Sequence, residues 1–344
     1  GYATACIGKW HLGWDWSIIT PEERTPKGKK KKDPVVDFPK PIKNGPTERG
    51  FDYFYGINGS LDMPPYVYVE NNMPTAIPQR EAEGMTGLKL FRAGPIAPDF
   101  DVEDCLPNQV RRTIKYIESR KDNKQPFFLY MPITAPHTPI LPSKEFQGKT
   151  SIGSYGDFVT MVDKLVGDVV EALKRTGQLD NTIIVFTSDN GGAKGAQPQD
   201  MISLGHYPNY IYRGTKRDIF EGGHRIPLII SWHGKLKERV DSSLVSLSDF
   251  YATFAEMTGY ELNANEAEDS YSLWQFLNGK SPNPRPDIVS LSGFGFFSIR
   301  TPKYKLIFTP GSGGDSFPYK PDDLADLPPM QLYDMEIDPS EENN

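Results

Sequence analysis

Three short runs of uninterrupted apolar residues restrict what this chain can fold into. They are residues 126–131 (PFFLYM), 182–187 (TIIVFT) and 226–231 (IPLIIS). None alternates apolar with polar, so each is predicted as a strand buried on both faces. Helical spacing appears around them. Leu106, Val110, Ile114 and Ile117, with Pro107 near the first turn, predict a helix over 107–120. Phe158, Met161, Val162, Leu165, Val166, Val169, Val170 and Leu173 predict a second helix, closed by Gly177. A third spans 248–257, ending before Gly259. Buried strands alternating with helices imply the α/β class, with a parallel sheet covered on both faces.

The rhythm changes after Pro286. Residues 288–292, 296–300, 304–308 and 331–335 read as strands, with no long helix between the first three. We therefore expect an α/β domain over 1–285 and a small antiparallel C-terminal subdomain over 286–344. The Pro-rich stretch 310–329 is expected to be a surface loop. Residues 33–105 are rich in Pro, Gly, Asn and aromatics, and read as long loops with short strands at most. The lysine run over 27–32 (KGKKKK) reads as a solvated loop, with an anionic-ligand contact as the minor alternative. No internal repeat is visible.

Composition excludes several classes. The formal charge is −7, from 38 basic and 45 acidic residues, which argues against a nucleic-acid binder. Gly and Pro number 31 each in 344 residues, as in a loop-rich enzyme. The longest charge-free stretch, 125–143, is broken by five prolines, so no segment can span a membrane. Cys6 and Cys105 do not make a disulfide framework. The sequon Asn58-Gly59-Ser60 is too common by chance to fix a compartment. No signal is legible, and Gly1 opens inside an ordered motif, so we expect the start to be a cut with any targeting information upstream.

Ligands of open α/β sheets bind at the carboxyl ends of strands. Three polar clusters follow predicted strands: Gly8-Lys9-Trp10-His11-Leu12-Gly13, Ala135-Pro136-His137-Thr138-Pro139 and Ser188-Asp189-Asn190-Gly191-Gly192. A fourth, Arg213-Gly214-Thr215-Lys216 leading to Glu221-Gly222-Gly223-His224-Arg225, precedes the strand over 226–231. Each alone has a bland reading as a turn or a structural side chain. Together they offer two lysines, two histidines, one carboxylate and one amide. That set suits an anionic, tetrahedral substrate held by a hard cation. Asp189 and Asn190 offer oxygen donors only, which favours Ca²⁺, with Mg²⁺ as the alternative, over zinc.

At this point the residues resemble the formylglycine-dependent sulfatases. Gly1-Tyr2-Ala3-Thr4-Ala5-Cys6-Ile7-Gly8-Lys9-Trp10-His11-Leu12-Gly13 is similar to that family's second signature, G-Y-x-T-x-x-x-G-K-W-H-L-G. The later clusters resemble its A-P-H-x-P, S-D-N-G, R-G-x-K and E-G-G-x-R-x-P motifs. Leu332-Tyr333-Asp334 through Asp338-Pro339 and Glu342-Asn343 resembles its tail. The resemblance spans the whole chain. It implies an alkaline-phosphatase-like fold and hydrolysis of sulfate esters in a periplasmic, secreted or lysosomal setting.

By the same resemblance, Asp189 and Asn190 bind calcium, and Lys9 and Lys216 hold the sulfate oxygens, Lys216 also reaching the leaving-group oxygen. His137 protonates the departing alcohol, and His11 is the base that expels sulfate from the formylglycine hydrate. His206, Asn209 and Arg213 lie where they could reach a sugar, against a plain loop role. Trp14, Trp16, Tyr53, Tyr55, Tyr66 and Tyr68 are expected chiefly to pack the loops, with sugar stacking as their minor alternative. His224 and His233 read as structural. One departure is large: the chain holds no C-x-P-S-R motif to supply formylglycine, and the family's first Asp pair is absent. Both belong upstream of the second signature, so truncation is the favoured explanation.

A sulfated carbohydrate is the expected substrate, because open aromatic loops suit sugars. Two other readings stay open. One is a phosphatase, phosphodiesterase or phosphonate hydrolase of the same superfamily. The other is a catalytically dead homologue that binds sulfated glycans.

Overall fold

The computed structural model describes residues 1–20, 23–24, 30–32, 34–196 and 199–344. They form two compact units, Gly1–Leu179 and Asp180–Asn344.

In the first unit the chain runs through strands β1 (Ala3–Lys9), β2 (Tyr53–Ile57), β3 (Val69–Glu70) and β4 (Met73–Pro74), helix α1 (Cys105–Ser119), strand β5 (Phe127–Tyr130) and helix α2 (Ser154–Arg175). The strands form one mixed sheet in the order β5-β1-β2-β3-β4. β1 pairs in parallel with β5, from Ala3 opposite Phe127 to Cys6 opposite Tyr130. It pairs in parallel with β2 as well, from Ala5 opposite Tyr53 to Lys9 opposite Ile57. β3 and β4 extend the sheet antiparallel.

β2 lies inside the stretch expected to be loops, and it is a middle strand of the sheet. Its sequence, Tyr-Phe-Tyr-Gly-Ile, does not alternate, because Phe54, Tyr55 and Ile57 are all buried. Gly56 is dictated by the neighbouring strand: a Cβ there would sit 1.8 Å from the Gly8 carbonyl oxygen. A glycine in a short aromatic run reads as a turn in sequence and is a close strand contact in three dimensions.

Helices α1 and α2 fall where the apolar spacing predicted them. Leu106 and Val110 pack with Phe158, Met161 and Val162. Burying such side chains stabilises by about 1.5–3 kcal/mol each. α2 ends at Thr176, with Gly177 at φ 72° taking the left-handed position after it. The predicted loop aromatics are mostly core: Tyr55, Tyr66 and Tyr68 are at most 3% exposed, and Trp14 is buried. Tyr68 stacks on Tyr55 at 5.2 Å, and Trp16 meets Trp14 edge-on. In the lysine run, Lys30–Lys32 is a short strand paired with Glu23–Arg24, so that part is not a loop. Residues 27–29 lie outside the described residues.

The second unit contains strand β6 (Ile183–Thr187), the single turn α3 (Glu221–His224), strand β7 (Leu228–Trp232), helix α4 (Asp249–Thr258) and strands β8 (Ile288–Leu291), β9 (Phe297–Arg300), β10 (Tyr304–Ile307) and β11 (Gln331–Asp334). β6 and β7 pair antiparallel, with Ile183 opposite Trp232 and Thr187 opposite Leu228. This corrects the parallel reading of these two runs. Apolarity on both faces does not encode strand direction, and their connection lacks the long helix that a parallel crossover uses. β8 to β11 form the expected antiparallel sheet in sequential order.

Arg285 ties the stretch before the C-terminal sheet to α4. Its guanidinium is buried and forks onto Asp249 of α4, with Nη2 2.7 Å from Oδ1 and Nε 2.9 Å from Oδ2. The stretch 310–329 is also not all surface. Gly311, Ser312, Gly313 and Gly314 are buried, and the backbone N–H groups of Asp315 and Ser316 donate to the buried Asp218 carboxylate at 2.8 and 3.0 Å. Among the described residues, no helix is long and apolar enough to cross a membrane.

Candidate active site

In the first unit the site begins where β1 ends. Gly8 takes φ 146°, and a Cβ there would lie 2.1 Å from the Pro132 carbonyl oxygen. The close approach lets Lys9 N–H donate to that same oxygen at 2.6 Å. The chain then turns sharply. Trp10 N–H donates to Ile57 O at 3.0 Å, and its ring is buried beside Phe51, with Nε1–H donating to Gly13 O. His11 sits at φ 54°, in the left-handed region that costs a non-glycine residue about 1 kcal/mol. Its N–H donates to Asn58 O at 2.7 Å. Trp10 therefore anchors the turn inward and His11 is turned out to solvent.

His137 follows β5 on the Ala-Pro-His-Thr-Pro loop. Its Nδ1 lies 2.6 Å from Thr138 O and 3.1 Å from Ser60 Oγ. A carbonyl oxygen only accepts, so Nδ1 carries the hydrogen and Nε2 is the nitrogen left to exchange protons. The Asn58-Gly59-Ser60 turn thus serves both histidines. Asn58 holds the His11 backbone, and buried Ser60 contacts His137. The sequence reading treated these three residues only as a sequon and missed Ser60. The signal was a polar turn after a strand, hidden because β2 itself was not recognised.

In the second unit, Asp189 and Asn190 follow β6. The Asp189 side chain is exposed. Asn190 Nδ2 donates to Gly191 O at 2.9 Å. Lys216 N–H donates to Gly192 O at 2.9 Å, so the Lys216 loop and the Asp189-Asn190 loop are laid side by side. The third loop is equally close. Gly191 N–H donates to Gly223 O at 3.0 Å, and a Cβ on Gly191 would lie 1.8 Å from Gly222 O. Thr215 N–H donates to Asp218 Oδ2 at 2.7 Å, closing the Lys216 turn.

Of the residues expected near a sugar, His206 is half-buried, with its N–H donating to Met201 O. Asn209 accepts from Gly192 N–H through Oδ1 and donates to Gly214 O through Nδ2, both at 2.9 Å. Arg213 lies over the Phe220 ring at 4.1 Å and donates from Nη1 to Glu341 O at 2.9 Å. His224 is half-buried, and burial followed by the nearby Lys305 charge holds its pKa below the ordinary value. His233 pairs with Asp180 at the surface.

The tail motif has a definite place. Glu341 is fully buried at φ 58°. Its Oε2 accepts from Glu221 N–H at 2.6 Å. Lys305 Nζ lies 2.8 Å from Glu341 Oε1 and 3.0 Å from Glu221 Oε1. The contact to Glu341 is an ion pair by distance, off the axis of a good hydrogen bond. Burial raises both carboxyls. At Glu221 the Lys305, Arg300 and Arg225 charges outweigh it and the pKa falls below the ordinary value. At Glu341 burial wins and the pKa is raised.

The Asp189 carboxylate and the Asn190 amide oxygen are hard donors of the kind a calcium ion takes, and would supply two of its roughly six to eight oxygens. Among the described residues no group of three His, Cys, Asp or Glu is placed to hold a metal. Formylglycine does not fit any residue here. Cys6 and Cys105 are fully buried, and burial pushes both thiols up to about 12.

The sulfatase family model matches residues 1–260. Over its whole length the chain is 31% identical to the N-acetylgalactosamine-6-O-sulfatase of Bacteroides thetaiotaomicron, covering 71% of that protein. It is 28% identical to arylsulfatase A of Homo sapiens, again over its whole length and covering 64% of that protein. Among solved structures, one concerned with the metabolism of multiple glycosaminoglycans by Bacteroides thetaiotaomicron superposes with a TM-score of 0.80 at 30% identity. The match covers all of this chain and 75% of that one. The chain thus spans roughly two thirds of these relatives, and it belongs to the sulfatase family.

Proposed function

We propose that this chain carries most of the active-site groups of a sulfuric ester hydrolase acting on a sulfated carbohydrate. The observation that carries the reading is the pair of histidines held on one turn. His11 is fixed through its backbone by Asn58, and His137 through Nδ1 by Thr138, with Ser60 beside it. In this proposal Lys9 and Lys216 hold the sulfate oxygens, where ammonium groups stabilise developing negative charge. His137 donates a proton from Nε2 to the leaving alcohol oxygen. His11 takes a proton during sulfate release. Imidazoles suit both tasks near neutral pH.

Asp189 and Asn190 would hold Ca²⁺, with Mg²⁺ as the alternative, and the ion would supply Lewis-acid stabilisation of the sulfuryl oxygens. The chain holds no C-x-P-S-R motif, and Cys6 and Cys105 are fully buried, so neither cysteine supplies a formylglycine nucleophile. His206 and Arg213 lie on the stretch leading to Lys216 and are candidates for the sugar side, whereas both polar atoms of the Asn209 side chain, the third residue expected there, are taken by Gly192 and Gly214. N-acetylgalactosamine 6-sulfate is the first sugar to test, because it is the substrate class in the name of the bacterial relative. The family resemblance supports a periplasmic, secreted or lysosomal setting as part of this proposal.

The test compares hydrolysis of N-acetylgalactosamine 6-sulfate, nitrophenyl sulfate and nitrophenyl phosphate by full-length protein, with and without a calcium chelator. Sulfate release that falls on chelation and recovers with Ca²⁺ is expected. Preference for the phosphate ester would refute the reading in favour of a phosphatase. Tight sugar-sulfate binding with no turnover of any ester would refute it in favour of a glycan-binding homologue.

A further inference from the structure

The side chain of Asn209 links two loops that the proposed function treats separately. Its Oδ1 accepts from Gly192 N–H, on the loop carrying Asp189 and Asn190. Its Nδ2 donates to Gly214 O, on the loop carrying Lys216. The loops also meet directly through Lys216 N–H and Gly192 O at 2.9 Å. An amide does this with one planar group, an acceptor on one side and a donor on the other. Aspartate offers only the acceptor, and glutamine sets the same group one methylene farther away. Asn209 is half-buried and sits before Tyr210, whose φ of 55° turns the chain sharply. Tyr212 N–H then closes back on Asn209 O at 3.0 Å. The Asn209 backbone is thereby held as well as the side chain.

We infer that Asn209 is a positioning residue that sets the spacing between the Asp189-Asn190 pair and Lys216, and not a sugar contact. The inference rests on the proposed roles of those three residues. Glycine geometry gives a physical reason for needing such a tie. Gly191, Gly192 and Gly214 lack side chains that could lock the loops by packing, and Gly214 takes φ 82°. A loop pair built of glycines is set by its hydrogen bonds. Asn209 supplies two of them from outside the backbone.

The two roles make opposite predictions. A sugar contact matters only for sugar substrates. A tie between loops matters for every sulfate ester and for metal affinity. The experiment compares Asn209→Ala and Asn209→Asp with the parent in the full-length protein. Three readouts are taken: exchange of the Gly192 and Lys216 amides, Ca²⁺ affinity by calorimetry, and kcat and KM on nitrophenyl sulfate and on a sugar sulfate. Asn209→Ala is expected to speed both amides, weaken Ca²⁺ binding about tenfold, and lower kcat on both esters by a similar factor, the weight of one or two neutral hydrogen bonds. Asn209→Asp keeps the acceptor for Gly192, so it should restore protection at Gly192 and recover part of the Ca²⁺ affinity.

Loss confined to KM for the sugar sulfate, with Ca²⁺ affinity and nitrophenyl sulfate turnover unchanged, would overturn the inference and make Asn209 a sugar contact. Faster exchange with unchanged Ca²⁺ affinity and unchanged turnover would overturn it in favour of a loop role with no bearing on the site. Lys216→Ala serves as the control. If it retains full turnover, the functional reading of the site fails, and this inference with it. If it loses turnover while Asn209→Ala does not, only the role of Asn209 fails.

Discussion

Replacing Lys305 by methionine would leave a buried carboxylate without its cation, and the structure sets how much that should cost. The Lys305 side chain is 2% exposed, Glu341 is 0% exposed and Glu221 is 10% exposed. After Lys305→Met, Glu221 still has Arg225 at 3.5 Å and Arg300 at 3.9 Å. Glu341 retains the Glu221 N–H at Oε2 and loses its contacting cation, Arg300 acting on it only through charge at longer range. Breaking a buried pair by removing one partner costs about 3–5 kcal/mol. Glu341 can limit that cost by taking up a proton. Protonating a carboxyl of ordinary pKa ~4.3 costs about 3.7 kcal/mol at pH 7 and about 1 kcal/mol at pH 5.

The deficit should therefore be about 3–4 kcal/mol at pH 7 and about 1 kcal/mol at pH 5. The sign follows from linkage. A carboxyl whose folded pKa is raised, as that of Glu341 is, contributes stability that is fully present below its unfolded pKa and lost as pH rises through the folded one. Removing Lys305 raises it further, so the variant should gain on the parent as pH falls. Glu221 works the other way, since its folded pKa is depressed. It keeps two arginines, so its own share changes less. Urea unfolding of parent and variant at pH 5, 6 and 7 measures the difference. A second variant, Lys305→Met with Glu341→Gln, removes the orphaned charge and should recover at least half of the loss at pH 7. A deficit under about 1 kcal/mol at pH 7, or one that grows on acidification, would refute the reasoning.

Three further outcomes are expected. Gly56→Ala would drive a Cβ to 1.8 Å from the Gly8 carbonyl, and should cost about 3 kcal/mol or prevent folding, as read from thermal unfolding. His137→Ala should slow sugar-sulfate hydrolysis by about 10²-fold or more but nitrophenyl sulfate far less, because a good leaving group needs little proton help; equal losses on both esters would remove His137 as the acid. Cys6 and Cys105, fully buried with thiols pushed up to about 12, should resist a thiol-reactive dye at pH 8 in native protein and both react once it is unfolded; rapid native reaction would contradict their burial.

What the sequence determined by itself was local. Apolar spacing on α1 and α2 is a property of one helix face, so every end of these helices could be read within four residues. The left-handed stops at Gly177 and Gly259 were legible because glycine alone takes that conformation without penalty. The Gly-Lys-Trp-His-Leu-Gly and Ser-Asp-Asn-Gly stretches were recognisable because their residue types and order are unusual in combination.

Direction and partnership were decided only by tertiary structure. β6 and β7 are apolar on both faces in either orientation, so nothing in their residues encodes that they run antiparallel. β2 was hidden because Gly56 and its aromatic neighbours break the period-2 pattern, and the reason for Gly56 lies on another strand. Ser60, Asn209 and Glu341 show the same physics at the site. Each matters through hydrogen bonds to partners distant in sequence: Asn209 to Gly192, 17 positions away, Ser60 to His137, 77 away, and Glu341 to Arg213, 128 away. A polar side chain carries its chemistry in the sequence, but its partner is chosen when the chain folds.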